Sequence, residues 1–128
     1  MPMILIKTAS PSQRDCGVIA DQVTDIARGR HMSKFAIVAT IKTAPGKRDE
    51  YLKHLKAHGQ RCLANEPGTL IFDILLPKKE ADTIMLYEVY ASPEAFDAHW
   101  TGPSMQQAKQ DTAGLMISMS GERCDFAE

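Results

Sequence analysis

Little in this chain suits a charged polymer, a membrane or a nucleotide. Its 15 lysines and arginines face 16 acidic residues, for a formal charge of −1, and they are scattered along the sequence. No basic stripe offers a phosphate-binding face, which argues against nucleic acid as a partner. No apolar run approaches the roughly 18–20 residues that span a bilayer, which argues against a membrane. The apolar core of "MPMILIKTAS" is too short, and too soon interrupted, for a secretory signal. The cysteines are Cys16, Cys62 and Cys124, far apart and without a CxxC pair. They read as reduced thiols of the cytoplasm rather than a disulfide frame or a zinc site. Glycine-rich phosphate loops and nucleophile elbows are missing, which argues against a nucleotide cofactor.

What is present is an ordinary soluble composition, 44% apolar and 24% charged, in 128 residues. That length suits one domain. Residues 34–128 read as that domain, and residues 1–33 as an N-terminal extension. Within the extension "MILIK" suits a short strand and "SQRDCGVIADQVTDIARG" a helix ending near Gly29. Met32 begins a natural-looking start, so the extension reads as an upstream start or a cloning leader.

"KFAIVATIK" (34–42) is β-branched and apolar, a strand by composition. Pro45-Gly46 marks the loop into a helix reaching about Asn65, with Tyr51, Leu52, Leu55, Cys62 and Leu63 on one stripe. Pro67 ends that helix, and Gly68 tolerates the exit. "TLIFDILL" (69–76) and "TIMLYEVYA" (83–91) flank a polar turn and predict a hairpin. Ser92 suits an N-cap, with Pro93 as the first helical residue. A further helical piece runs from Gly102-Pro103 to about Gly114, and "LMISMSGERCDF" (115–126) supplies the last strand. The order β-α-β-β-α-β is the ferredoxin-like α+β unit, an antiparallel sheet with helices on one face.

Pairing polar groups across the hairpin puts Asp73, Glu88 and Tyr90 on one face. Ile71, Leu75, Ile84 and Leu86 would share it and leave it too apolar for water. A second copy of the chain is the expected cover, giving a homodimer with sheets face to face.

"EPGTLIFDILL" and "LYEVYASPEAFDAHWTGPSMQ" resemble the antibiotic biosynthesis monooxygenase family of dimeric α+β barrels. The resemblance covers roughly residues 34–126. It rests on the Glu-Pro-Gly before the second strand, the Tyr-Glu-x-aromatic strand and the Ala-His-x-x-x-Pro junction. It implies oxidation of a small quinol or polycyclic phenol by dioxygen without a cofactor. The substrate is deprotonated to an electron-rich anion, which itself transfers an electron to dioxygen. The same segments are similar to autoinducer-processing isomerases, so isomerisation of a small polyoxygenated metabolite is the alternative. A non-catalytic ligand-binding dimer is the third reading. The chain departs from the family at Ser104, where a second histidine is common, and at Tyr90, where tryptophan is common. Lys109 stands where related haem-degrading enzymes have their axial histidine, which argues against haem.

His99 is the candidate acid–base group, since an imidazole titrates near neutral pH; it also suits a helix-end histidine bonded to backbone. Glu88 is a candidate base, an orienting partner for His99, or an interface group. Tyr90 and Asp73 are candidate cavity-lining groups, Tyr90 offering a ring and a hydroxyl donor. Trp100 is a candidate for substrate stacking or an edge anchor. His54 and His58 stand four residues apart, a spacing that can serve a metal, but no HExxH pattern accompanies them and no metal is expected. His58 borders the apolar stripe and is a candidate for the pocket wall.

Overall fold

The computed structural model describes residues 33–127. The strand and helix expected within residues 1–33 lie outside the described residues. The elements are β1 (Phe35–Thr43), α1 (Arg48–Asn65), β2 (Thr69–Leu75), β3 (Thr83–Tyr90), α2 (Pro93–Trp100), α3 (Pro103–Asp111) and β4 (Met116–Asp125). One sheet in the order β2-β3-β1-β4 holds all four strands. Every neighbouring pair is antiparallel. This is the ferredoxin-like topology, with the second helical segment divided at Gly102-Pro103.

Local chemistry sets the boundaries. Gly46 takes φ of 75°, a left-handed turn that glycine adopts without steric cost. Asp49 and Glu50 then sit in the first turn of α1, where the helix dipole favours negative charge. Tyr51, Leu55, His58, Gly59 and Cys62 form the buried stripe of that helix. Leu63, expected on the stripe, is 47% exposed, one position beyond the face that Cys62 occupies. Pro67 follows the cap residue Glu66, whose N–H still bonds Cys62 O at 2.9 Å. Ser92 Oγ accepts from the N–H of Ala95 at 3.1 Å, starting α2 with Pro93 in its first turn. Gly68 lets α2 seat closely on the sheet: a Cβ there would meet Ala95 Cβ at 2.3 Å.

The inner face of the sheet carries Phe35, Ile37, Ala39 and Ile41 from β1 opposite Tyr90, Glu88, Leu86 and Ile84 from β3. With Tyr51 and Leu55 of α1 and Leu115, the apolar members form the core.

The hairpin corrects one expectation. Phe72 opposes Glu88, and Asp73 opposes Tyr87. Asp73 therefore lies on the outer face, away from Glu88 and Tyr90, and Ile84 and Leu86 belong to the core. The register shifts between Thr69 and Ile71, and a one-residue shift moves every side chain to the other face. The outer face is still apolar, but its residues are Val38 (37% exposed), Ile71 (37%) and Leu75 (51%), with Met85 and Tyr87.

Candidate active site

The helices leave a cavity of about 410 Å³ above the inner face of the sheet. Small-molecule sites commonly measure about 300–1,000 Å³. Ile37, Leu55, Phe72, Leu86 and Met105 give it apolar walls. The charged or titratable groups that reach it are Glu88 of β3, His99 of α2, His58 and Tyr51 of α1, and Arg123 of β4.

His99 is buried, with 2% of its surface exposed. Its Nδ1 lies 2.9 Å from Glu66 Oε1, an oxygen that also accepts from Thr69 Oγ1 at 2.7 Å. Burial pulls the Glu66 carboxyl upward, but the hydrogen bonds from Thr69 and His99 outweigh it and hold the group below its ordinary pKa. An ionised Glu66 accepts, so His99 carries a proton on Nδ1, and whenever the ring is neutral its lone pair is on Nε2. Nε2 faces Glu88 Oε1 across 3.9 Å, and Glu88 takes its own hydrogen bond from the Tyr90 hydroxyl. Burial raises the Glu88 carboxyl, which the Tyr90 bond and the charge of His99 only partly oppose. Burial also raises the Tyr90 phenol, and Glu88 adds to the effect, so Tyr90 stays a donor. A ring nitrogen and a carboxylate oxygen thus converge at the floor of an apolar cavity, and a substrate hydroxyl can donate its one proton to either of them.

On the α1 side, His58 Nδ1 lies 3.0 Å from Ser104 Oγ, and Arg61 Nε donates to the same oxygen at 3.1 Å. Burial, then the nearby His99 and Arg61 charges, lowers His58 to about 4, so it is neutral at physiological pH. Cys62 Sγ sits between His58 and His99, and burial pushes its thiol up to about 12.

Of the residues singled out from sequence, His99, Glu88 and His58 meet at the cavity, whereas Tyr90, expected to line it, is fully buried behind Glu88 and bonds it. Tyr90 stacks obliquely on His99, with ring centroids 5.2 Å apart. Trp100 lines the cavity but is 42% exposed; it stacks on Phe96 at 5.9 Å and carries Lys109 over its ring at 5.6 Å. Asp73 is exposed on the opposite face of the sheet. The helical partner of His58 is Cys62, four residues on, rather than His54. Sequence reasoning gave no site role to Glu66 or Arg123, and marked Ser104 only as a departure from the family. Glu66 follows His58 and Cys62 at the same four-residue step, which was the available signal. Arg123 shares the inner face because it pairs with Ile37.

A ferredoxin-like α+β domain that closes an apolar cavity over a histidine–carboxylate pair defines a small-molecule-handling fold. The chain belongs to the antibiotic biosynthesis monooxygenase family, whose sequence pattern matches residues 34–111. A candidate antibiotic biosynthesis monooxygenase from Caulobacter crescentus has a similar crystal structure. It is 26% identical with a TM-score of 0.70, over 76% of this chain and 92% of its own. A second such protein, from Chloroflexus aurantiacus, is 24% identical with a TM-score of 0.66, over 75% and 95% of the two chains. None of the curated proteins compared matches the chain. Among the described residues no helix is long and apolar enough to cross a membrane.

Proposed function

We propose that the protein is a cytoplasmic, cofactor-independent monooxygenase that oxidises a small quinol or polycyclic phenol with dioxygen. The observation that carries this reading is the 3.9 Å convergence of His99 Nε2 and Glu88 Oε1 on the cavity floor. A substrate hydroxyl placed there gives its proton to Nε2. The imidazolium that forms is held by ionised Glu66 at Nδ1. The dry apolar wall leaves the new oxyanion poorly solvated and electron-rich.

A ring carbon of that anion, still bearing its hydrogen, bonds to dioxygen after electron transfer. His99 returns its proton to the outer oxygen, forming a hydroperoxide. Loss of water, which takes the hydrogen on that carbon, leaves one oxygen as a carbonyl. The sum is substrate plus dioxygen to carbonyl product plus water. Glu88 stabilises the imidazolium by its charge across 3.9 Å, Tyr90 holds Glu88, and His58 and Trp100 border the substrate.

The test is oxygen uptake with a panel of dihydroxynaphthalenes and anthrones, with chelator present and ¹⁸O₂ supplied. Catalysed uptake with one labelled oxygen per product is expected. Absence of uptake across the panel would sink the oxygenase. The same pair can also move a proton between two oxygens of one substrate, so oxygen-independent turnover of a polyoxygenated metabolite would install the isomerase reading instead.

The reading includes a homodimer packed through the outer face, where Val38, Ile71 and Leu75 are exposed together. Sedimentation should give twice the chain mass, and Leu75→Asp should shift it to monomer. A monomeric wild type would refute the dimer and leave the cavity chemistry standing.

A further inference from the structure

Behind the cavity wall, on the Nδ1 side of His99, His58, Cys62 and His99 cluster, and Glu66 bonds His99 at their edge. His58, Cys62 and Glu66 follow one another at four-residue steps along α1 and its cap, and His99 arrives from α2. Cys62 Sγ lies 3.6 Å from His58 Nε2 and 3.5 Å from His99 Nδ1. A tetrahedral zinc ion, about 2.3 Å from sulfur and about 2.0–2.1 Å from nitrogen, separates those atoms by about 3.6 Å. The two edges from Cys62 to the histidines already have that length. Glu66 Oε1, 2.9 Å from His99 Nδ1, must open to a tetrahedral edge of about 3.4 Å. One ligand atom each from His58, Cys62 and His99 all lie within 4.8 Å of one another.

The surroundings suit the same ligand set. Ser104 Oγ can accept the N–H at His58 Nδ1, which frees Nε2 to ligate. The Ser104 hydroxyl donates to Cys62 Sγ at 3.6 Å, a bond that favours a thiolate. Arg61 Nε donates to the same serine oxygen at 3.1 Å and holds it in place. Glu88, 3.9 Å from His99 Nε2, stands ready for an N–H at that nitrogen.

The geometry points to a binding site for a zinc-class divalent cation, held by His58 Nε2, Cys62 Sγ, His99 Nδ1 and Glu66 Oε1. One thiolate and two imidazoles select zinc over magnesium or calcium, which prefer oxygen. Binding releases the Cys62 proton to solvent and moves the His99 proton from Nδ1 to Nε2. His99 then presents an N–H to the cavity in place of a lone pair, so the ion switches off a base at Nε2. That last consequence rests on the proposed function, whereas the binding site does not.

The test titrates the chelator-stripped full chain with cobalt(II), then zinc. One equivalent of cobalt should give tetrahedral d–d bands and a thiolate charge-transfer band, both lost when zinc displaces it. Cys62→Ala should lose the thiolate band, and Cys124→Ala should keep it. Glu66→Gln, which preserves side-chain shape, should weaken cobalt binding at least tenfold; circular dichroism checks that each variant folds. The site is overturned by absence of one-to-one binding, by a thiolate band that survives Cys62→Ala, or by unchanged affinity in Glu66→Gln. Zinc that binds as described without slowing oxygen uptake, measured without chelator, would keep the site and overturn the base role of Nε2.

Discussion

Replacing His99 by alanine is expected to lower turnover in the oxygen-uptake assay by about 10²–10⁴-fold, the usual contribution of a positioned acid–base group. The imidazole joins two carboxylates that do not otherwise meet, one at Nδ1 and one at Nε2. Without it, no neutral acceptor faces the substrate hydroxyl. His99→Gln is the sharper variant. Its amide can still donate to Glu66 but cannot carry the proton, so it should be as inactive as alanine while better preserving the fold. Activity retained in His99→Gln would mean that the residue only positions substrate. The pH profile adds a second reading. Glu88 faces the His99 imidazolium as a counter-charge only when ionised, and burial raises its pKa. Activity should therefore fall on the acid side at a pH above the ordinary carboxylate range, and Glu88→Gln should remove that limb.

Ile84→Ala should destabilise the fold by about 2–5 kcal/mol, measured as a lower denaturant midpoint at unchanged slope. Ile84 is fully buried on a central strand, opposite Ile41, which is 1% exposed. Ile41 borders the cavity and has space into which neighbours can shift, but Ile84 does not line it. A void at Ile84 is thus enclosed by packed side chains, the situation in which truncation costs most. A loss below about 1 kcal/mol would mean that the sheet collapses around the gap.

The element order was legible because each boundary carries its own punctuation. Pro45-Gly46, Pro67-Gly68, Ser92-Pro93 and Gly102-Pro103 stand at the helix ends where those residue types do steric and hydrogen-bonding work. The faces of the hairpin were not legible. Alternation fixes which residues of one strand share a face, but it does not fix the register of two strands. Matching Asp73 to Glu88 assumed that a buried carboxylate seeks its partner across the sheet. Glu88 finds it two residues along its own strand, in Tyr90, and on α2, in His99. His99 could be marked as titratable, yet its contact with Glu66 spans 33 residues and depends on how closely α2 seats on Gly68. Glu66 itself stood out only as the first residue of the Glu-Pro-Gly motif, with no role in a site.

The seat of α2 on Gly68 also limits how this cavity can be redesigned. Residues of the floor come from β3, the His99 ring from α2, and the carboxylate bonded to it from the end of α1. No loop or single helix carries enough of the site to be moved to another scaffold. Substrate range should instead be varied at wall positions such as Leu55 and Met105, which border the cavity and make no polar contact with the histidine. The scaffold separates the two tasks: side chains that set cavity shape can change size, while the spacing between Gly68 and Ala95 must be kept.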